Sequence, residues 1–137
     1  MFTLLDIESN CNVLVNRGAI PVLVHALHSL DIDVQYHCSA ALSNIAVSKK
    51  YRTMITGVGY HDVIELLIRL ISSESEMVKC QGCIALRNLA VDEDIQFLIA
   101  KHGAIPTLQQ ALNSKSPETK AAVMGCIRNL SLHKTNE

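Results

Sequence analysis

Apolar residues return along this chain at helical spacing, and the stretches between them carry helix start and stop signals. Near the end of the chain Val123, Ile127 and Leu130 fall at i, i+4 and i+7, on one stripe of a helix. Ahead of them Asn113-Ser114-Lys115-Ser116 reads as a turn. Ser116 is placed to cap the helix, with Pro117 at its first position and Glu118 next. Leu108 and Leu112, four apart, mark a preceding helix opened by Ile105-Pro106. Before that, Ile95, Leu98 and Ile99 form a short apolar face. It starts at the acidic run Asp92-Glu93-Asp94 and stops at Lys101-His102-Gly103, with glycine just past the end. The β-branched residues keep to the 3.6-residue pattern, so the chain is expected to be all-α.

The same plan recurs upstream. Tyr51, Met54 and Ile55 give a first helix broken at Gly57 and Gly59. Asp62 caps or opens a second, carrying Val63, Leu66, Leu67 and Leu70. Ser73 and Glu76 have capping-box spacing, ahead of a third helix with Val78, Ala85, Leu86 and Leu89. Earlier still, a helix begun near Ser9 ends at Gly18. Val22, Leu23 and Leu27 then mark a second helix, and Val34, Ala41, Leu42 and Ile45 a third. Two phrases keep step with this plan. Ser43-Asn44-Ile45-Ala46-Val47 returns as Arg87-Asn88-Leu89-Ala90-Val91 and as Arg128-Asn129-Leu130-Ser131-Leu132, so the asparagines lie 44 and 41 residues apart. Gly18-Ala19-Ile20-Pro21 returns as Gly103-Ala104-Ile105-Pro106, with a degenerate copy at Gly59-Tyr60-His61-Asp62. A period of about 40–47 residues is that of stacked helical repeats. Such stacks carry extended concave surfaces that bind other proteins. The expected organisation is a single repeat domain over 1–137, with a partial unit at 1–17 and glycine-to-glycine units at 18–58, 59–102 and 103–137. Neither end is obviously polar, as terminal repeats usually are. The expectation is therefore a piece of a longer array, or self-association through uncapped ends.

The phrases Gly-Ala-Ile-Pro-Val-Leu-Val and Ala-Leu-Ser-Asn-Ile-Ala resemble the armadillo repeat family, and the resemblance runs from about Leu5 to Leu132. It implies an armadillo-type α-solenoid, a right-handed superhelix of three-helix repeats. In that family the third helices line a concave groove, and a ladder asparagine bonds the backbone of an extended peptide. Asn44, Asn88 and Asn129 match that position. An amide side chain offers both a donor and an acceptor, so it can pair with a peptide unit whatever the peptide's sequence. The alternative is that each asparagine ties together the loops of its own repeat. The family's nuclear-signal receptors carry tryptophan four residues before the asparagine; here those positions hold Ala40, Ile84 and Gly125, which argues against that recognition. Arg87 and Arg128 resemble basic positions of catenin-type grooves and would pair with acidic ligand residues. Their alternative is a solvated face or a salt bridge within the stack. His37, Gln81 and Ala122 complete a groove floor of mixed polarity.

Composition narrows the function classes. Of 137 residues, 49% are apolar, enough for a continuous core, and only 4% are aromatic, so small and aliphatic side chains must do the packing. A net charge of −1 advertises neither nucleic acid nor an anionic membrane. No apolar run reaches bilayer length, and Met1-Phe2-Thr3-Leu4-Leu5-Asp6 has neither signal-peptide features nor a myristoylation glycine. The five cysteines, Cys11, Cys38, Cys80, Cys83 and Cys126, are odd in number and lie mostly in apolar helical segments. Buried free thiols in a reducing, intracellular compartment, the cytoplasm, are the expectation. Cys80-Gln81-Gly82-Cys83 lacks the second ligand pair that a zinc site needs, and His25 and His28 read as a solvated pair. No nucleophile elbow, phosphate loop or metalloprotease motif occurs, and no cofactor is implied. Ser116-Pro117 is explained by helix capping rather than phosphorylation. The sequence thus points to a non-enzymatic scaffold binding an extended protein segment. The alternative is a structural spacer or self-association module with no groove ligand.

Overall fold

The computed structural model describes residues 4–57 and 62–132, with side chains from Glu8 onward. Among the described residues there are nine α-helices and no strand. In chain order they are α1 (Leu4–Asn16), α2 (Ala19–Ala26), α3 (Ile32–Ile45), α4 (Lys49–Ile55), α5 (Val63–Ile71), α6 (Glu76–Leu89), α7 (Glu93–Lys101), α8 (Ala104–Ala111) and α9 (Pro117–Ser131). They fall into triplets that each end in the longest member. The fold is an all-α stack of three-helix units.

Local chemistry explains the joints. Gly18 and Gly103 have φ of 84° and 80°, the left-handed conformation that side-chain-bearing residues avoid. Each sits just past a helix end, where its N–H reaches back three residues, to the Val15 and Ala100 carbonyls, at 3.0 Å. Space is not the constraint there, since a Cβ at either glycine would meet nothing within 4 Å. Before each long helix a serine two residues ahead of the cap accepts the cap's own N–H. Ser29 does so for Asp31, Ser73 for Ser75 and Ser114 for Ser116, at 3.1, 3.0 and 3.1 Å. Asp31, Ser75 and Ser116 then cap α3, α6 and α9, accepting from Val34, Val78 and Thr119 respectively.

This corrects the expected box of Ser73 with Glu76. Ser73 is the turn residue and Ser75 the cap, while the Glu76 carboxylate is engaged with the next repeat. A second correction concerns α1. It begins at Leu4 rather than near Ser9, because no glycine or proline interrupts the chain before Gly18. Asp62 does open α5 but makes no side-chain cap bond; its carboxylate accepts from His28 Nε2 at 3.0 Å instead. The expected break at Gly59 and the degenerate Gly59-Tyr60-His61 copy lie outside the described residues.

Helix α6 is the hub. It packs on α3, α5, α7 and α9, while α2 covers α3 and α8 covers α9. Its Val78, Cys83, Ala85, Leu86 and Leu89 are all buried. Val34 holds the position of Val78 one repeat earlier, yet it is 36% exposed against 0%. The difference is a neighbour: α6 has the long helix α3 on that flank, and α3 has no described helix in the same place. Val22 is exposed as well, so it does not join the core expected of α2.

Candidate interaction groove

The long helices α3, α6 and α9 lie side by side, and their asparagines form a connected row. Asn88 Nδ2 donates to the Ser43 carbonyl at 2.8 Å, and Asn129 Nδ2 donates to the Arg87 carbonyl at 3.1 Å. In both cases the acceptor is the residue just before the previous asparagine of the row. Each bond therefore clips one repeat to the one before it. Asn44 is exposed and has no such partner among the described residues.

Arg87 is half-buried. Its aliphatic stem crosses Gly125 of α9, where a Cβ would lie 2.8 Å from the arginine Cδ. Its Nε and Nη2 reach Asn88 Oδ1 only at 3.4 Å, too long for strong bonds. Arg128, the corresponding residue of the next repeat, is exposed. Among the described residues no carboxylate pairs with either arginine. His37 is exposed and meets the Tyr36 ring edge-on, with centroids 5.1 Å apart. Gln81 is half-buried in the first half of α6, about two turns before Asn88, in the wall of a cavity of about 220 Å³ that Tyr36, Glu76, Met77, Cys80, Ser116 and Glu118 also line.

The buried thiols of Cys83 and Cys126 are chemically quiet. All five are free thiols. Burial pushes Cys83 and Cys126 up to about 12, with the neighbouring Cys126 and Cys80 adding to the effect on Cys83. Such thiols are poor nucleophiles at neutral pH. His25 and His28 stand with ring centroids 6.1 Å apart, and His28 is held by Asp62.

Two further inter-repeat clips escaped the sequence reading. Arg52, 7% exposed, donates Nε and Nη2 to Asp92 and Nη1 to the Ala46 and Val47 carbonyls. Gln96, 44 residues on, donates to Ala90 in the same way as Arg52 does to Ala46. That shared register was the available signal. The second clip is Glu76, whose Oε2 accepts from Thr119 Oγ1 at 2.8 Å and Ser114 Oγ at 2.9 Å. The bond from Thr119, then that from Ser114, holds this carboxyl below its ordinary 4.5. A carboxyl depressed in the folded state stabilises the fold above its unfolded pKa, and the contribution disappears as pH falls through the folded value. Chemical denaturation should therefore show stability dropping on acidification below about pH 4.5, with Glu76→Gln flattening that part of the profile.

Comparison with known proteins agrees with this architecture. Residues 8–47 match the family model described as Armadillo/beta-catenin-like repeat. Vacuolar protein 8 of Schizosaccharomyces pombe is 42% identical over 75 residues, which is 55% of this chain and 14% of that protein. The chain thus spans a small part of the curated relative. The designed armadillo repeat protein YIII(Dq)4CqI superposes with a TM-score of 0.84 at 22% identity, over 93% of this chain and 53% of that one. A second design, solved in complex with the peptide (KR)4, gives 0.77 at 20% identity, over 89% and 51%. The chain has the armadillo-repeat solenoid fold. Among its described residues no helix is long and apolar enough to cross a membrane.

Proposed function

We propose that this chain is a protein-interaction scaffold that binds an extended partner segment across α3, α6 and α9, through Asn44, Asn88 and Asn129. One observation carries this reading. The amides of Asn88 and Asn129 are pinned through Nδ2 to the preceding repeat, which fixes where their Oδ1 atoms point. An amide with one hydrogen engaged keeps a second hydrogen and an acceptor, the complement of a peptide unit. Pinning therefore pre-organises the rungs, which lowers the ordering cost of binding. Arg87, Arg128, His37 and Gln81 would flank the segment. The reading is of a binding module rather than an enzyme, with a protein rather than a nucleic acid as partner, in a reducing intracellular compartment that keeps the five thiols free.

The same two bonds also favour a second reading, in which the asparagines serve only the stack. The chain would then be a spacer, or would self-associate through its ends. Asn44 separates the two, because its side chain makes no bond to another described residue and its truncation should leave stability within about 0.5 kcal/mol. A random octapeptide library displayed on phage supplies the ligand. If the groove binds, Asn44→Ala should weaken a selected peptide about fivefold, the loss of roughly one hydrogen bond. The variant altered at Asn44, Asn88 and Asn129 together should lose more, provided circular dichroism shows it folded. Equal affinity of wild type and both variants would leave the spacer reading standing.

A further inference from the structure

The long helices all present the same end to the same edge of the candidate groove, so its two edges carry opposite charge. Glu76 and Glu118 lie in the first turns of α6 and α9, and Arg87 and Arg128 in their last turns. Ten or eleven residues separate each pair, which is roughly 15 Å along a helix. The helix dipole accounts for acids at the start and bases at the end. It does not account for the cavity between the acids. That cavity, about 220 Å³, is lined by Tyr36, Met77, Cys80, Gln81 and Ser116 and carries Glu76 and Glu118 on its rim; Lys79 stands 3.8 Å from Glu76 Oε1, so Glu118 is the rim carboxylate with no cationic partner among the described residues. Met77 is 61% exposed, a large apolar surface left open to water. An apolar sleeve ending in carboxylates matches a side chain with an aliphatic stem and a cationic head. Glu76 is moreover held in place by two hydroxyls that are themselves buried, so its orientation is set before any ligand arrives.

At the opposite edge Arg87 has no carboxylate among the described residues, and its weak contacts to Asn88 leave most of its five donors open. Helices pack about 8–10 Å apart, so α3 to α9 spans roughly 20 Å. About six extended residues cross that distance, and successive side chains point to opposite sides. We infer that the groove takes an extended protein segment in which basic and acidic side chains alternate, the basic ones entering the Tyr36–Met77–Cys80 cavity and the acidic ones meeting Arg87 and Arg128. This rests on the groove reading above and adds the chemistry of the partner.

Fluorescence anisotropy with labelled octapeptides at low salt tests it. (Lys-Glu)4 should bind at least tenfold tighter than either (Lys-Arg)4 or an all-glutamate octapeptide, and the preference should shrink as salt rises. Glu118→Gln, on an exposed residue that joins no inter-repeat clip, should cost (Lys-Glu)4 severalfold in affinity, as should Arg87→Gln. A uniformly basic or acidic peptide binding as tightly as (Lys-Glu)4, or no binding of (Lys-Glu)4 at all, would overturn the inference. Asn44→Ala keeps the two readings apart. If it weakens (Lys-Glu)4 and Glu118→Gln does not, the groove stands and the alternating-charge partner falls. If Asn44→Ala binds (Lys-Glu)4 like wild type while Glu118→Gln weakens it, the charge pattern stands without the ladder.

Discussion

Leu86→Ala should destabilise the chain by about 2–5 kcal/mol, the range for truncating a buried leucine. Leu86 has no exposed surface and sits in α6, which touches α3, α5, α7 and α9 at once. The cavity left behind is bounded by several helices, so none of them can move in to fill it without breaking contact with another. A stack of repeats is stable only through its nearest-neighbour interfaces, and α6 contributes to both interfaces between long helices. The loss should therefore appear as one cooperative transition at lower urea, with the slope of the transition preserved. Leu30→Ala is the control. Leu30 is 92% exposed, and its removal should cost less than about 0.5 kcal/mol. A cost for Leu86→Ala no larger than that of the control would mean that the core lies elsewhere.

The position of Leu86 was legible in the sequence because burial follows helical periodicity. Val78, Ala85, Leu86 and Leu89 keep a 3.6-residue stripe, and the stripe is buried. The ends of the helices were legible where a residue type has a conformational reason to be there, as at Gly103, Ser116 and Pro117. Legibility failed at Ser73, where two serines two residues apart compete for one cap. It failed at Val34 because periodicity names a face and not what covers it. The row of asparagines could be placed from its spacing, whereas its bonds could not. That Asn88 donates to Ser43, and Asn129 to Arg87, depends on how one repeat is offset against the next. A single repeat's pattern carries no record of that offset. The charged clips were hidden for the same reason. Asp92 has the composition of an ordinary helix start, and only the neighbouring repeat reveals its second role toward Arg52.

Arg52→Ala should cost about 3–5 kcal/mol, because it leaves a carboxylate and backbone carbonyls without partners in a largely buried place. Four hydrogen bonds end on that guanidinium. Two go to Asp92 at 3.0 and 3.2 Å, and two to the Ala46 and Val47 carbonyls at 3.1 and 2.9 Å. The two pairs of bonds do different jobs, and substitution can part them. The carbonyl bonds close the end of α3, and in the next repeat the amide of Gln96 closes α6 at Ala90 with one bond of 2.8 Å. Arg52→Gln copies that solution, so it should recover part of the loss while leaving Asp92 unpaired. The Asp92 pair, by contrast, joins the start of α7 to α4 of the preceding repeat. Its strength is read from a double-mutant cycle with Asp92→Ala, in which the two losses should fall short of additive by about 1–3 kcal/mol. The exposed His28–Asp62 pair gives the comparison, with side chains 52% and 39% open to solvent. Exposed pairs are typically worth less than about 1 kcal/mol, and His28→Ala should fall in that range. If Arg52→Ala and Asp92→Ala prove additive, the guanidinium acts only on the α3 carbonyls. Arg52→Gln should then be nearly as stable as wild type, and the junction between these repeats, α2–α4 against α5–α7, would rest on apolar packing together with the Asn88–Ser43 and His28–Asp62 bonds.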